Sequence, residues 1–297
     1  MTSHTEWDLH TTGTEVGQAF DSAIRGKNIV ITGVSPASIG ATTALAIAAH
    51  GPGKLVLASR TRAKLDAVHA DIAQKYPTVD VSSVLLDLGS LDSVWDAAAQ
   101  IDAFVDDKLH VLINNAGVND MHRNPMTTRD GTRLDRQLFV NHLGPFLLTG
   151  LLLSALKRAA EGAPKGSARV VNVSSHGHRL SPIRFSDLAF EKPPHGESIP
   201  EAERPSTTAP AFLTRLTDPE GGYPGFLGYG QSKCANILHA SELTRRYFKD
   251  SGILALSVLG YLADCQLADG LAAPHAKDKE AGRRLWELSE RMLNIQK

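Results

Sequence analysis

Two side chains with complementary proton chemistry, Tyr229 and Lys233, stand four residues apart. They fall in a helical pattern at 227–248, where positions four apart share one face of the helix. A phenol has a pKa of about 10, which is too high for an effective base near neutral pH, and a nearby ammonium lowers that pKa. The pair can therefore serve as a general acid/base, although an ordinary pair on a surface helix has the same spacing.

A glycine-rich turn at 32–40 (TGVSPASIG) follows the first predicted strand, 28–32. Glycines let a pyrophosphate approach the backbone, and the helix behind the turn supplies free N–H groups and partial positive charge. Taken alone, this turn is consistent with a dinucleotide site and equally with an ordinary strand–helix connection.

The second predicted strand ends at Arg60. Folds that prefer NAD place an acidic residue here to hold the ribose hydroxyls, whereas a cation accommodates the 2′-phosphate of NADP. Arg62 and Lys64 add positive charge nearby. Alternatively, these basic side chains are simply exposed to solvent at the start of a helix.

Polar and small residues also end the third and fourth predicted strands. Asp87 and Leu88 follow strand three, where a carboxylate can accept a hydrogen bond from an adenine amino group. The run 114–117 (NNAG) ends strand four. Its small residues let the chain pass close under a cofactor, and its amides can brace the central strands.

Five motifs, in chain order, resemble those of the short-chain dehydrogenase/reductase family. They are 33–40, 114–117 (NNAG), 141–144 (NHLG), 171–175 (VNVSS) and 229–233 (YGQSK). Each motif is common, but five in order are specific, and the resemblance covers about residues 20–258. The long gap between Ser175 and Tyr229 looks like the retinol-dehydrogenase and WW-domain-oxidoreductase branch, which includes many fungal reductases.

The resemblance implies an NADP(H)-dependent enzyme that reduces a ketone or aldehyde, or oxidises the corresponding alcohol. It implies that Tyr229 is the general acid/base, and that Lys233 tunes it and holds the nicotinamide ribose. Ser175, rather than Ser174, is expected to bind the substrate oxygen, and Asn141 to serve a proton relay. The implied cofactor-binding residues are Gly33, Ser35, Ser38, Ile39, Gly40, Arg60, Asp87, Leu88, Asn115, Ala116, Gly117, Tyr229 and Lys233.

Asn141 also has a local physical argument. Pro145 lies four residues later in the same helical pattern. Proline has no N–H, so the carbonyl of Asn141 loses its normal partner and the helix is expected to kink there. That carbonyl is then free to bind water, as the relay requires; an asparagine that only packs is the alternative.

Apolar runs alternate strictly with helical patterns, which predicts parallel strands with helical crossovers. We predict strands at 28–32, 55–58, 81–86, 111–114, 169–173 and 253–259, and helices at 41–50, 61–76, 91–105 (capped by Ser90), 129–158, 227–248 and 281–294. The fold class is therefore α/β, a Rossmann-type doubly wound sheet near six parallel strands in one domain spanning 1–297. It carries an N-terminal extension at 1–25 and an insertion or lid at 177–225, which holds eight of the fifteen prolines.

The sequence departs from the family after the sixth strand. Leu259 replaces the family's proline, and Asp264 stands near the position of a threonine that contacts nicotinamide. We infer that several tens of residues are absent between Leu259 and Gly260, which makes 260–297 a tail. Two parallel neighbours need a crossover of a dozen or more residues, so a complete seventh strand cannot form beside the sixth. The alternative is that Gly260 is the family's glycine and the tail has diverged.

The composition narrows the class of protein. The chain has 297 residues, 42% hydrophobic and 21% charged, with a net charge of −1, so no basic excess indicates nucleic acid or an acidic membrane surface. With two cysteines and no signal-type apolar segment, we expect a cytoplasmic protein without disulfides or a transmembrane span. A homodimer stays open. His176 and His178 flank Gly177 beside Ser175, and no ligand partners for a metal accompany them.

Overall fold

The computed structural model describes residues 4, 6–8, 10–194, 196–205, 210–258, 262–263, 266–267, 270 and 272–295. The strands are β1 (Asn28–Thr32), β2 (Lys54–Ser59), β3 (Val81–Leu85), β4 (Val111–Asn114), β5 (Met126–Thr127), β6 (Arg133–Leu134), β7 (Arg169–Val173), β8 (Leu254–Val258), β9 (Leu262–Ala263) and β10 (Gln266–Leu267). The α-helices are α1 (Gly13–Ala19), α2 (Asp21–Ile24), α3 (Ile39–Ala48), α4 (Arg62–Lys75), α5 (Leu91–Phe104), α6 (Arg136–Leu138), α7 (Gly144–Leu151), α8 (Leu153–Ala160), α9 (Ala211–Thr214), α10 (Gly225–Ser251) and α11 (Lys279–Met292).

Six of these strands form the parallel core of the sheet, in the order β3-β2-β1-β4-β7-β8. The chain starts in the middle with β1, winds outward to β3 and then returns through β4. Ligands of such sheets bind at the carboxyl ends of the strands where the order reverses, which here lies between β1 and β4. The predicted Rossmann-type α/β fold near six parallel strands is confirmed.

The core lies on both faces of the sheet because successive strand residues point to opposite sides. Ile29 and Ile31 pack in a cluster with side chains of α3 and α4, whereas Val30 packs in the larger cluster with α5, α7, α10 and α11. This double coverage explains why the strands are apolar without alternation. All six predicted strands form within a residue or so of their predicted bounds, and Ser90 caps α5 by accepting a hydrogen bond from the amide of Ser93.

The predicted long helix at 129–158 is wrong in its first part. Residues 126–134 form the hairpin of β5 and β6, because Asp130 accepts hydrogen bonds from the Thr128 hydroxyl and the Thr132 amide, and Gly131 takes a φ of +85°. Aspartate and glycine in these positions favour a turn. Helix begins only at Arg136 and is interrupted again between α7 and α8.

The N-terminal extension contains two short helices that we did not predict. Thr12 and Glu15 form a reciprocal capping box at the start of α1, a signal present in the sequence. Among the described residues, no single helix has the length and apolarity needed to cross a membrane; only the bent pair Arg136–Leu151 and Leu153–Ala160 passes that test together.

The described residues of the predicted lid at 177–225 are largely irregular, but buried polar side chains hold them. Arg184 is fully buried, forms an ion pair with Asp187, and stacks over Phe190 with its guanidinium 4.5 Å from the ring centroid. Tyr223, also fully buried, donates its hydroxyl to Asp135 at 2.7 Å. The Arg184 contacts lie within the lid, and the Tyr223–Asp135 hydrogen bond joins the lid to the start of α6.

After β8 the sheet continues among the described residues only as β9 and β10, of two residues each. β9 joins β8 in parallel through one register pair, Val258 with Leu262, and β10 runs antiparallel to β9. We did not predict this single parallel pair, because a parallel neighbour needs a crossover of a dozen or more residues. The described residues nevertheless contain no complete seventh parallel strand. The expectations for Leu259, Gly260 and Asp264, like Cys265, lie outside the described residues, and Cys234 is a buried free thiol.

Candidate active site

A cleft of about 380 Å³ opens at the carboxyl ends of β1 to β4, at the point where the strand order reverses. Eleven of the thirteen predicted cofactor residues line it together: Gly33, Ser35, Ser38, Ile39, Gly40, Arg60, Asp87, Leu88, Asn115, Ala116 and Gly117. The other two, Tyr229 and Lys233, lie on α10.

The glycine turn is shaped by close backbone contacts. Gly33 has a φ of +76°, and a Cβ there would lie 2.6 Å from the Cα of Ala116. A Cβ on Gly40 would lie 2.7 Å from the carbonyl oxygen of Gly33. No other residue fits either position without moving backbone, so the turn passes directly over the end of β4.

Ser38 fixes the glycine turn through its side chain. Its hydroxyl accepts hydrogen bonds from the amides of Ala41 and Ser35 and donates to the Ser35 carbonyl at 2.6 Å. Ser38 is thus the N-cap of α3 and fixes the loop before it. The first amides of α3 lie at the end of the helix that borders the cleft, where partial positive charge favours an anion.

The asparagines after β4 brace the central strands, as predicted. Asn114 donates to Asn172 of β7 at 2.9 Å, and Asn115 donates to the carbonyl of Thr32 at 2.8 Å. The Thr32 hydroxyl in turn accepts from the amides of Asn115 and Ala116. These hydrogen bonds hold the glycine turn against the end of β4.

Positive charge stands at one end of the cleft. Arg60 and Lys64 are exposed and line it, whereas Arg62 lies outside it and faces Asp66 at 3.7 Å. Of the three predicted cations, Arg60 and Lys64 therefore line the cleft, and Arg62 does not. Asp87 also lines the cleft, with one carboxylate oxygen held by the amide of Gly89 at 2.9 Å.

The four predicted catalytic residues converge beside Gly117 and Gly177. A Cβ on Gly117 would lie 3.2 Å from Lys233 Nζ and 3.3 Å from Asn141 Oδ1. A Cβ on Gly177 would lie 3.1 Å from the Tyr229 ring and 3.6 Å from Ser175 Oγ. Lys233 Nζ lies 5.4 Å from the centroid of the Tyr229 ring, which joins the two pairs into one site.

Lys233 is almost completely buried, with 3% of its surface exposed. Burial lowers the pKa of its ammonium to about 8, because desolvation disfavours the charged form. Nζ donates a hydrogen bond to the carbonyl oxygen of Val173 at 3.0 Å. The ammonium is therefore held at the end of β7, beside the Tyr229 ring.

Asn141 lies in a π-helical turn, Phe139–Leu143, directly before the Pro145 helix start. The predicted irregularity at Asn141 is present, as a wider turn of helix (N–H to the carbonyl five residues back) rather than a sharp kink. Its side chain accepts from the amide of Val118 at 2.7 Å and donates to Val118 O and to Ser232 Oγ, both at 2.9 Å.

The two serines after β7 have separate surroundings. Ser174 is buried and donates its hydroxyl to the carbonyl of Lys233 at 2.8 Å, so it ties β7 to α10. Ser175 is half-buried, and its Oγ accepts from the amide of Gly177 at 3.1 Å. The hydroxyl proton of Ser175 can therefore point at a substrate oxygen.

Sequence reasoning missed the partners that hold these side chains. Ser232 and Val118 hold Asn141, and Asn236 donates to the same Val173 carbonyl as Lys233, at 3.0 Å. Asn236 follows Lys233 by three positions and so lies on the same helix face. That spacing could have identified it, whereas nothing local indicates Val118. Together, the sheet and the cleft define a Rossmann-type dinucleotide fold.

Comparisons with known proteins agree with this class. The family model of the short-chain dehydrogenases matches residues 27–186. The oxidoreductase fscI of Fusarium equiseti is 35% identical over 252 residues, which cover 85% of this chain and 93% of that protein. Human retinol dehydrogenase 13 is 31% identical over 329 aligned positions, covering 93% of this chain and 87% of that protein. This chain has 297 residues, so several tens of those positions have no counterpart in it.

Solved structures share the fold. An NADPH-bound carbonyl reductase from chicken fatty liver superposes with a TM-score of 0.51 at 22% identity, over 78% of each chain. A metagenomic short-chain oxidoreductase in complex with NADP gives a TM-score of 0.53 at 18% identity, over 93% of each chain. The chain belongs to the short-chain dehydrogenase/reductase family, in its retinol-dehydrogenase-like branch. It is therefore an oxidoreductase by family.

Proposed function

We propose that this chain is an NADP(H)-dependent oxidoreductase that reduces a ketone or aldehyde, or oxidises the corresponding alcohol. The observation that carries the proposal is the convergence of Ser175, Tyr229, Lys233 and Asn141 beside the cleft. Separate elements contribute these side chains, namely the end of β7, the start of α10 and the π-helical turn. Packing alone gives no reason for them to meet.

The residues of the cleft fit a dinucleotide. Gly33 and Gly40 form a cradle that a Cβ would fill, and the N-terminus of α3 stands behind it. Arg60 and Lys64 would hold the 2′-phosphate that distinguishes NADP from NAD, with no acidic residue at the end of β2. The chicken carbonyl reductase binds NADPH and the metagenomic oxidoreductase binds NADP, which is consistent with the same preference here.

The side chains have distinct tasks in this reaction. A bound nicotinamide supplies or accepts the hydride. Ser175 donates a hydrogen bond to the substrate oxygen, and Tyr229 gives a proton to that oxygen or takes one from it. Lys233 places a positive charge 5.4 Å from the centre of the Tyr229 ring, and Asn141 keeps the π-helical turn and the Val118 backbone in place beside it.

Replacement of Tyr229 by Phe tests the proposal, because it removes the hydroxyl and keeps the ring. We expect kcat for carbonyl reduction to fall by about 10²- to 10⁴-fold, while NADPH, followed by nicotinamide fluorescence, still binds through the residues of the cleft. Tyr76→Phe, at the end of α4, is the matched control. Unchanged turnover in Tyr229→Phe with a proven substrate would reject the mechanism.

A second function has one observation in its favour. The family's segment after the sixth strand has no recognisable counterpart after Val258, and the alignment with human retinol dehydrogenase 13 contains unmatched positions. A chain without a substrate wall would bind NADP(H) with little or no catalysis. Tight NADPH binding without turnover across a panel of ketones and aldehydes would favour this second function.

The cytoplasmic location stays a prediction from composition.

A further inference from the structure

A short segment near the C-terminus, residues 272–277, docks on the turn that carries Ser175. The segment contains the 3₁₀ helix Pro274–Lys277, and the turn contains the 3₁₀ helix His176–Arg179. The amide of Ala273 donates to His178 Nε2 at 3.1 Å, and His275 Nε2 lies 2.7 Å from the His178 carbonyl oxygen. Residues about a hundred positions apart in the chain are thus joined beside the proposed active site.

These contacts determine where the protons of both rings lie. An amide can only donate, so His178 Nε2 carries a lone pair, and its proton is on Nδ1. Nδ1 then donates to the carbonyl oxygen of Ser175 at 2.6 Å. A carbonyl can only accept, so His275 carries its proton on Nε2. His178 is fully buried, and burial lowers its pKa, which favours the neutral ring.

The consequence falls on Ser175. Its carbonyl oxygen accepts from both the amide and the ring of His178, at 3.0 and 2.6 Å. Its hydroxyl accepts from the amide of Gly177, the residue against which the Tyr229 ring lies. The backbone and hydroxyl of Ser175 are therefore fixed relative to Tyr229 through the turn that His178 closes.

We propose that His178 is a positioning residue for Ser175, and that the segment 272–277 acts as a latch that, together with the Ser175 carbonyl, fixes its tautomer. The inference rests on the proposed function for its catalytic consequence. It gives the segment 272–277 a role in the reaction, although this segment supplies no catalytic side chain. The latch couples the efficiency of the Ser175–Tyr229 pair to the docking of the C-terminal segment.

The latch has a defined response to pH. The titratable groups around His178 are His275 on the docked segment, His176 and Arg179 on its own turn, and Tyr229 on the helix packed against it. Protonation of His178 would place an N–H on Nε2, opposite the Ala273 amide, and two donors cannot bond. Protonation of His275 leaves its Nε2–H in place and keeps its bond. The latch therefore opens as His178 becomes charged, on the acidic side.

Two pairs of variants separate the contacts by atom position. His178→Gln places an acceptor near Nε2 for Ala273 but loses the donor to Ser175, whereas His178→Asn keeps a donor near Nδ1 and loses the acceptor. His275→Gln keeps a donor for the His178 carbonyl, and His275→Ala removes it. Lys277→Ala, exposed on the same short helix, is the control.

We expect kcat to fall about tenfold in His178→Gln and His275→Ala, as the loss of one hydrogen bond at a reacting centre predicts, with His275→Gln restoring it. The Kd for NADPH stays unchanged in all variants. The acidic limb of the wild-type kcat–pH profile disappears in His178→Gln, which a purely structural role would not cause. Wild-type kcat and an intact acidic limb in both His178→Gln and His275→Ala would overturn the proposal.

A measurement without turnover distinguishes this inference from the proposed function. In the ¹⁵N-histidine-labelled chain at pH 7, the ring nitrogens of His178 should report a neutral ring protonated on Nδ1. The ¹⁵N shift of His178 Nε2, which reports its hydrogen bond from the Ala273 amide, should change in His275→Ala and stay constant in Lys277→Ala. A proton on Nε2 in the wild-type chain would reject the latch, whether or not a carbonyl substrate is turned over. Absence of turnover with the expected tautomer would reject the proposed function alone.

Discussion

The half of the chain from β1 to β4 and the half after β7 are held in place around the proposed active site by different kinds of contact. In the first half, the ends of neighbouring strands form the cleft, and backbone contacts such as those at Gly33 and Gly40 shape it. In the second half, side chains far apart in sequence hold the lid and the tail, as Tyr223 holds Asp135 and His178 holds Ala273. Both halves join residues far apart in the chain, but in the first half the parallel strands bring backbone segments together, whereas in the second half individual side-chain pairs do so.

Replacement of Gly33 by Val should have the largest effect on cofactor binding, because it tests the half of the chain in which backbone packs directly against backbone. A Cβ at this position would lie 2.6 Å from Ala116 Cα, in a left-handed conformation. Strain and overpacking together cost about 2–5 kcal/mol, so NADPH binding should weaken by at least about thirtyfold. Gly150→Ala in α7, where a Cβ meets open space, should bind NADPH normally. Normal NADPH binding by Gly33→Val would show that backbone packing at this turn does not shape the cleft.

Arg60→Ala comes next and tests cofactor choice at the edge of the same half. Loss of a charge-assisted hydrogen bond of about 1.5–3 kcal/mol should raise KM for NADPH about ten- to a hundredfold, while KM for NADH stays constant. Arg62→Ala is the matched control, because Arg62 faces Asp66 outside the cleft. Equal effects of the two variants, or an equal effect on both cofactors, would contradict the assignment.

Lys233 lies where the two halves meet, and Lys233→Met tests whether this residue contributes to catalysis while lowering the stability of the fold. At pH 7 the buried ammonium, with its pKa lowered to about 8, costs folding free energy, and that cost disappears as the pH rises through 8 towards 10.5. Val173 O keeps a second donor in Asn236. We therefore expect the cofactor-free variant to be about 1–2 kcal/mol more stable at pH 7, yet inactive.

The measurement is urea unfolding of the cofactor-free protein at pH 7 and pH 10. The stability gain of Lys233→Met should shrink at the higher pH, since the wild-type lysine is then neutral in the folded chain. Lys75→Met, on the exposed face of α4, should change stability little at either pH. A loss of stability in Lys233→Met at pH 7 would show that its hydrogen bond outweighs its burial.

The same contrast explains which sequence predictions are correct. The strands, the Ser90 cap and the irregular helix at Asn141 follow from neighbouring residues, such as Pro145 with its missing N–H. The helix predicted at 129–158 failed at its start because turn chemistry at Asp130 and Gly131 overrode helical periodicity. The latch at His178 could not be predicted, because no local pattern links it to Ala273.

Asp135→Asn, the mildest change, tests whether the lid depends on a buried acid. Burial raises the pKa of Asp135 to about 6 from 3.8, even though Tyr223 donates to it. A raised folded pKa means that this carboxyl contributes stability fully below pH 3.8, and that the contribution is lost as the pH rises through 6.

Asparagine does not titrate and keeps an acceptor for Tyr223, so the stability difference between variant and wild type should grow between pH 4 and pH 6, by at most about 1.4 kcal/mol per pH unit, and stay constant above. Asp130→Asn, in the β5–β6 hairpin, should show no such rise, because its carboxyl pKa is lowered instead. A flat difference between Asp135→Asn and wild type would mean that the lid binds an ionised aspartate throughout, and that Tyr223 and the nearby amides compensate for its burial.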